Sequence, residues 1–167
     1  MSINSSNITT CLWFDGQATE AAEFYTSIFP NSSIGHTHHY PKYGTENHGH
    51  KAGSVCTVAF NLNGHSFVGL NGGPHFKFSP ATSFQIMCDD QKEIDHYWEK
   101  LTIGGNAKMI ECGWLQDKFG ISWQVVPKCL VEYLEKGDQE QKERVTEAFM
   151  GMKKLEIEGI QKAYAGA

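Results

Sequence analysis

The 167 residues are 40% apolar and 12% aromatic, the make-up of a globular protein and not of a disordered one. A formal net charge of −5 argues against nucleic acid or an anionic membrane as partner, since both want basic surfaces. No apolar run approaches membrane-spanning length, and residues 1–7 are polar with no signal-peptide core, so a cytoplasmic protein is expected.

The length fits one domain, or two small repeated halves sharing one core. Cys11, Cys56, Cys88, Cys112 and Cys129 are odd in number, widely spaced and without a C-x-x-C pair. That pattern is neither a disulfide framework nor a zinc finger, and the cysteines read as small buried hydrophobes.

In chain order, residues 8–14 alternate as a strand, with Thr9, Cys11 and Trp13 on one face. Asp15-Gly16 turns into a helix to about Phe29 whose apolar positions, Ala18, Ala21, Ala22, Tyr25, Ile28 and Phe29, recur at helical spacing until Pro30 stops it. A strand follows at 33–40, then a polar stretch at 41–53, then strands at 55–62 and 65–70. Asn63-Gly64 between the last two is a hairpin signal.

After Asn71-Gly72-Gly73-Pro74 the pattern begins again. A strand is predicted at 83–88, and Asp90 with Glu93 forms a capping signature for a helix presenting Ile94, Tyr97, Trp98 and Leu101. Further strands are predicted at 108–112, around Trp114, and at 121–126. Phe14-Asp15 matches Cys88-Asp89, Phe24-Tyr25 matches Tyr97-Trp98, and Asn63-Gly64 matches Phe119-Gly120. A strand–helix–three-strand unit is used twice, at about 8–72 and 82–127, within one domain over 1–129. Beyond it, 130–167 read as a helical tail. Asp138 and Gln141 stand in capping-box positions, and Val145, Phe149, Met152, Ile160 and Tyr164 form a stripe expected to pack on the body or on a neighbouring subunit.

The residues that carry the repeat also carry a resemblance. Phe14-Asp15-Gly16, Glu23-Phe24-Tyr25, Leu62-Asn63-Gly64, Asn71-Gly72-Gly73-Pro74, Cys88-Asp89-Asp90-Gln91, Gly113-Trp114 and the run from Asp117 to Gln124 resemble the vicinal oxygen chelate superfamily, which contains glyoxalase I and the bleomycin-resistance proteins. More narrowly the chain resembles the PhnB-like branch, whose members often bear the name 3-demethylubiquinone-9 3-methyltransferase. The resemblance implies an α+β fold of two βαβββ modules, whose curled mixed sheets form cups around a cavity, plus C-terminal helices, in a homodimer.

It also implies positions for a divalent metal. They fall near Thr9, on Ser83, on Gly69 or Asn71, and on Gln124, where the metal enzymes place Glu. Hydroxyls and amides are poor substitutes for carboxylates and imidazoles, so no metal and no other cofactor is expected. The methyltransferase name meets no G-x-G-x-G turn after a strand; Leu70-Asn71-Gly72-Gly73 leads into Pro74 rather than a helix. His36, His38, His39, His48 and His50 crowd one region, either as a surface zinc or nickel site or as a solvated loop.

Thr9, Cys11, Trp13, Phe67, Asn71, Ser83, Gln85, Trp114 and Gln124 are the expected ligand pocket; no catalytic residue is assigned. Tyr40 is a further candidate for an aromatic wall, whereas Trp123 reads as core. The expected function is binding of a small organic molecule. The alternative is an enzyme, either a metal-dependent lyase, isomerase or dioxygenase of the superfamily, or the methyltransferase of the branch's name.

Overall fold

The computed structural model describes residues 8–167, and the polar opening at residues 1–7 lies outside them. The described chain divides into two compact units, one reaching Lys77 and the other spanning Phe78–Ala167.

The first unit runs β1 (Thr10–Phe14), α1 (Ala18–Ile28), β2 (Ser33–His39), α2 (Thr45–His48), β3 (Val55–Leu62) and β4 (His65–Asn71). Its sheet has the order β1-β4-β3-β2, with β1 parallel to β4 and the other pairs antiparallel. Five of the six apolar positions predicted for this helix are buried, and the sixth, Phe29, is the half-buried C-cap of α1. They meet the sheet face that carries Leu12, Phe14, Phe60 and Phe67, with Tyr25 stacked on Phe60 at 6.3 Å between ring centroids. Gly69 permits the close approach, because a Cβ there would stand 3.1 Å from that of Ala18. The Asn63-Gly64 hairpin forms as predicted: both residues take the left-handed conformation, at φ 46° and 89°, that a two-residue turn between twisted strands requires.

The second unit runs β5 (Ser83–Cys88), α3 (Gln91–Thr102), a 3-10 turn (Ala107–Met109), β6 (Trp114–Gln116), β7 (Ser122–Pro127), α4 (Lys128–Lys136), α5 (Gln139–Met150) and α6 (Ile157–Ala165). Its sheet order is β5-β7-β6, and its first and last strands are again parallel neighbours. Asp90 caps α3 by accepting from the Glu93 N–H at 2.9 Å, while the Glu93 carboxylate reaches back to the Asp89 N–H at 2.7 Å. The buried aromatic of α3 is Tyr97, whereas α1 buries the second residue of its aromatic pair, Tyr25.

One predicted strand differs. Residues 108–112 form the end of the 3-10 turn and a single bridge between Glu111 and Trp114. The Asn106 side chain accepts from the Lys108 N–H at 3.1 Å, and Cys112 and Gly113 take φ values of 49° and 80°. A strand cannot accommodate two such left-handed residues in succession.

The tail belongs to this second unit. Leu130, Val145, Leu155 and Ile160 form a buried cluster, with Val126 of β7, Phe149, Met152 and Tyr164 packed against it. Asp138 and Gln141 complete the predicted capping box of α5. The segment between α5 and α6 is held to α3: Gln91 donates to the Leu155 carbonyl at 3.2 Å and accepts from the Ile157 N–H at 2.9 Å, and Lys154 pairs with Asp95. That lysine, and then Gln91, hold the Asp95 carboxyl below its ordinary range. No helix of the described residues is long and apolar enough to cross a membrane.

Candidate functional site

Strand parity gives each sheet a face turned from its helix. On β5, β6 and β7 the paired residues of that open face are Ser83 with Ser122, Gln85 with Gln124, and Trp114 and Gln116 with Gln124 and Ser122. Four of the nine expected pocket residues, Ser83, Gln85, Trp114 and Gln124, therefore stand together. The Gln124 amide N–H donates to Ser83 Oγ at 2.7 Å, and its carbonyl oxygen accepts from Gln85 at 3.0 Å. Each polar end of Gln124 is thereby engaged with a neutral partner.

Beside this chain of amides lies a cleft of about 500 Å³, lined in part by Met109, Glu111, Cys112, Trp114, Ser122 and Met150. Trp114 and Ser122 belong both to the cleft and to the open face. Ser122 is only 2% exposed, and its hydroxyl is a buried polar atom with no hydrogen-bond partner. Sequence reading had no means of singling it out, because a serine on a strand carries no sign of whether its neighbours are occupied.

The run before β7 is organised by a buried carboxylate. Asp117 is 2% exposed; one carboxylate oxygen accepts from the Phe119 and Ile121 N–H groups at 2.9 and 3.0 Å, and the other accepts from the Trp123 indole at 2.7 Å. These bonds shape the turn at Gly120 and hold Trp123 in the core, as its parity predicted.

In the first unit the expected pocket residues part company. Cys11 and Trp13 lie on the open face, and Thr9 stands exposed just ahead of β1. The Trp13 indole covers Gly72, where a Cβ would come within 2.2 Å of the ring, and donates to the Gly73 carbonyl at 2.8 Å. Phe67 and Asn71 correct the expectation. Their register with Thr10 and Phe14 turns them to the helix side, where Phe67 stacks on Phe60 at 5.2 Å and both are buried. Asn71 accepts from the Ala18 N–H at 2.9 Å, capping α1 where Gln17 offers no side-chain bond, and donates to the Val55 carbonyl at 3.1 Å.

The histidines separate into two groups. His36 and His38 meet edge to face at 4.3 Å on β2. His48 and His50 stack on Tyr40 at 4.7 and 4.3 Å, and the Tyr40 hydroxyl donates to the Asn71 carbonyl at 2.7 Å. Burial first, then neighbouring Cys56, push the Tyr40 phenol above its ordinary range. Among the described residues no three His, Cys, Asp or Glu side chains gather in a set able to hold a metal ion. The cysteines are not uniformly the buried hydrophobes expected: Cys88 is buried, Cys56, Cys112 and Cys129 are intermediate, and Cys11 is exposed.

Two parallel-edged sheets, each with a helix on one face and an open other face, define an α+β protein of the glyoxalase/bleomycin-resistance fold. Solved structures share it: a Pseudomonas aeruginosa protein is 16% identical over 72% of this chain and 96% of its own, with a TM-score of 0.55. The fosfomycin resistance protein FosX from Listeria monocytogenes is 17% identical over 79% of this chain and 98% of its own, with a TM-score of 0.53. The family model described as 3-demethylubiquinone-9 3-methyltransferase matches residues 6–126. The PhnB protein from Bacillus cereus, which bears the same methyltransferase name, is 37% identical over 72% of this chain and 98% of its own, with a TM-score of 0.63. The chain belongs to this PhnB-like family. Comparison with the curated proteins gave no match.

Proposed function

We propose that the chain binds a small organic molecule on the open face of its second sheet, without a metal ion at Ser83 or Gln124. The observation that supports this reading most directly is the commitment of Gln124, whose two polar ends bond to Ser83 and Gln85. A divalent transition ion is gripped by carboxylates, thiolates and imidazoles, and a neutral amide bonded to a neutral hydroxyl does not fit it. In the first unit, likewise, Gly69 has no side chain and Asn71 is used on both ends. An amide that both donates and accepts does suit the carbonyl or hydroxyl of an organic ligand, and Trp114 beside it offers a flat apolar wall. The chain acts in the cytoplasm as a homodimer on this reading, by likeness to its superfamily.

A screen of small aromatic and amphiphilic compounds, followed by tryptophan fluorescence, tests it. Saturable binding weakened roughly tenfold by Gln124→Ala is expected, since a lost hydrogen bond of about 1.4 kcal/mol changes affinity by that factor. Failure of every compound, or one tightly held transition ion per chain that Gln124→Ala releases, would overturn the reading.

The family's description favours a second reading, methyl transfer from S-adenosylmethionine. The four- and three-stranded sheets do not fit the doubly wound cofactor domain common to such enzymes, and β4 leads into Pro74 without a following helix N-terminus. Saturable binding of S-adenosylmethionine in a calorimeter would restore it.

A further inference from the structure

The two groups of histidines differ in what their ring nitrogens can still do. His48 is spent: its Nδ1 accepts from the His50 N–H at 3.0 Å, and its Nε2 is buried without a partner. His65 is partly spent, because its Nε2 shares a hydrogen bond with Thr10 Oγ1 at 3.0 Å. Among the described residues nothing hydrogen-bonds to the ring of His36 or His38, and both residues are exposed.

Their place on the sheet brings these two rings together. β2 is an edge strand of its sheet, and residues two apart on a strand share a face. Thr37 between them pairs with buried Val58, which turns His36 and His38 to the face away from α1. The ring centroids stand 4.3 Å apart at an interplanar angle of 80°. Imidazole is a preferred ligand of borderline divalent ions, and two rings already held side by side lose little freedom on sharing one.

The spacing narrows the choice of ion. A nitrogen about 2.0 Å from a metal puts its ring centroid about 3.1 Å away; two such rings at right angles about the ion stand about 4.4 Å apart, and two at the tetrahedral angle about 5.1 Å. The observed 4.3 Å matches the right angle. Donors at right angles belong to the square-planar or tetragonal geometry of copper(II) and nickel(II), copper(II) being the tighter, and not to tetrahedral zinc.

We infer that His36 and His38 chelate one divalent ion of tetragonal preference, copper(II) before nickel(II), with water in its remaining positions. The inference goes beyond the small-molecule reading and shares no residue with it.

Titration of the full-length chain with copper(II) chloride tests it, with electron paramagnetic resonance to count the nitrogens on the ion. The first equivalent is expected to bind saturably with two imidazole nitrogens. His36→Ala and His38→Ala are each expected to weaken it about tenfold, because a single imidazole lacks the second, intramolecular donor. His48→Ala, His50→Ala and Gln124→Ala are expected to leave it unchanged. Since His36 and His38 are exposed, their replacement is expected to keep the urea midpoint, which separates a lost ligand from a lost fold. Absence of saturable binding, or a single nitrogen on the ion, overturns the inference. So does binding that survives both His36→Ala and His38→Ala, and so does a loss that only His48→Ala or His50→Ala produces. An ion released by Gln124→Ala and by neither histidine variant sinks this inference together with the metal-free reading of the second unit, whereas failure of every organic compound in the screen sinks only the latter reading's ligand.

Discussion

Asn71 shows how much one side chain can settle. The family resemblance implied a place for it in the pocket, but its register with Phe14 turns it inward to cap α1. Replacing it by Ala leaves the Ala18 N–H and the Val55 carbonyl without their partner, and should cost about 2–3 kcal/mol. A urea midpoint that falls while the slope of the transition stays constant would check this; an unmoved midpoint would contradict the capping role. Cys88 makes a second point at the same scale. Burial first, then Glu93, Asp89 and Asp90, push its thiol from 9.0 up to about 12. A folded-state value raised in this way contributes stability that is present below the unfolded value and lost as pH rises through the folded one. Denaturant midpoints should fall between about pH 9 and 12, and Cys88→Ala should flatten that alkaline limb even though it lowers stability at neutral pH.

Among the elements, the tail departs furthest from a simple appendage. Its apolar stripe is consumed inside its own unit, with Val145, Leu155 and Ile160 buried against Leu130 and next to Val126 of β7. Leu155 also packs over Gly113, where a Cβ would come within 2.9 Å of it. Leu155→Ala should cost about 3 kcal/mol, the transfer of the lost methyl groups plus the cavity left behind. Chemical denaturation of the full chain would measure the loss. A change below about 1 kcal/mol would show that hydrogen bonds, from Gln91 and from the Cys112 and Gly113 N–H groups, and the Lys154–Asp95 pair hold the segment between α5 and α6 without the packing of Leu155.

For the whole molecule, the burial of that stripe leaves the homodimer resting on likeness to the superfamily alone. Sedimentation velocity should nonetheless show a species of twice the chain mass, independent of concentration in the micromolar range; a monomer there would remove the homodimer from the account. What could be read from residues was whatever depends on neighbours in the chain. The periodicity of α1, the Asn63-Gly64 turn, the Asp90 and Asp138 caps, and the repeat of a strand, a helix and further strands all rest on short-range sterics and hydrogen bonding. The strand expected at 108–112 failed because two left-handed residues and an Asn106 cap outweigh an apolar run.

The sequence by itself determined the doubled unit, the family it resembles and the alternation that sets Ser83 and Gln85 on one strand, and Ser122 and Gln124 on another, opposite the apolar residues between them. Only the tertiary structure decided that Phe67 and Asn71 turn inward, that Asp117 is a buried anchor for Trp123, and that the Ser122 hydroxyl is buried without a bond. The physical reason is the same in each case. Which way a strand residue faces and whether its polar atoms find partners depend on register with strands distant in the chain, and no local pattern encodes that pairing.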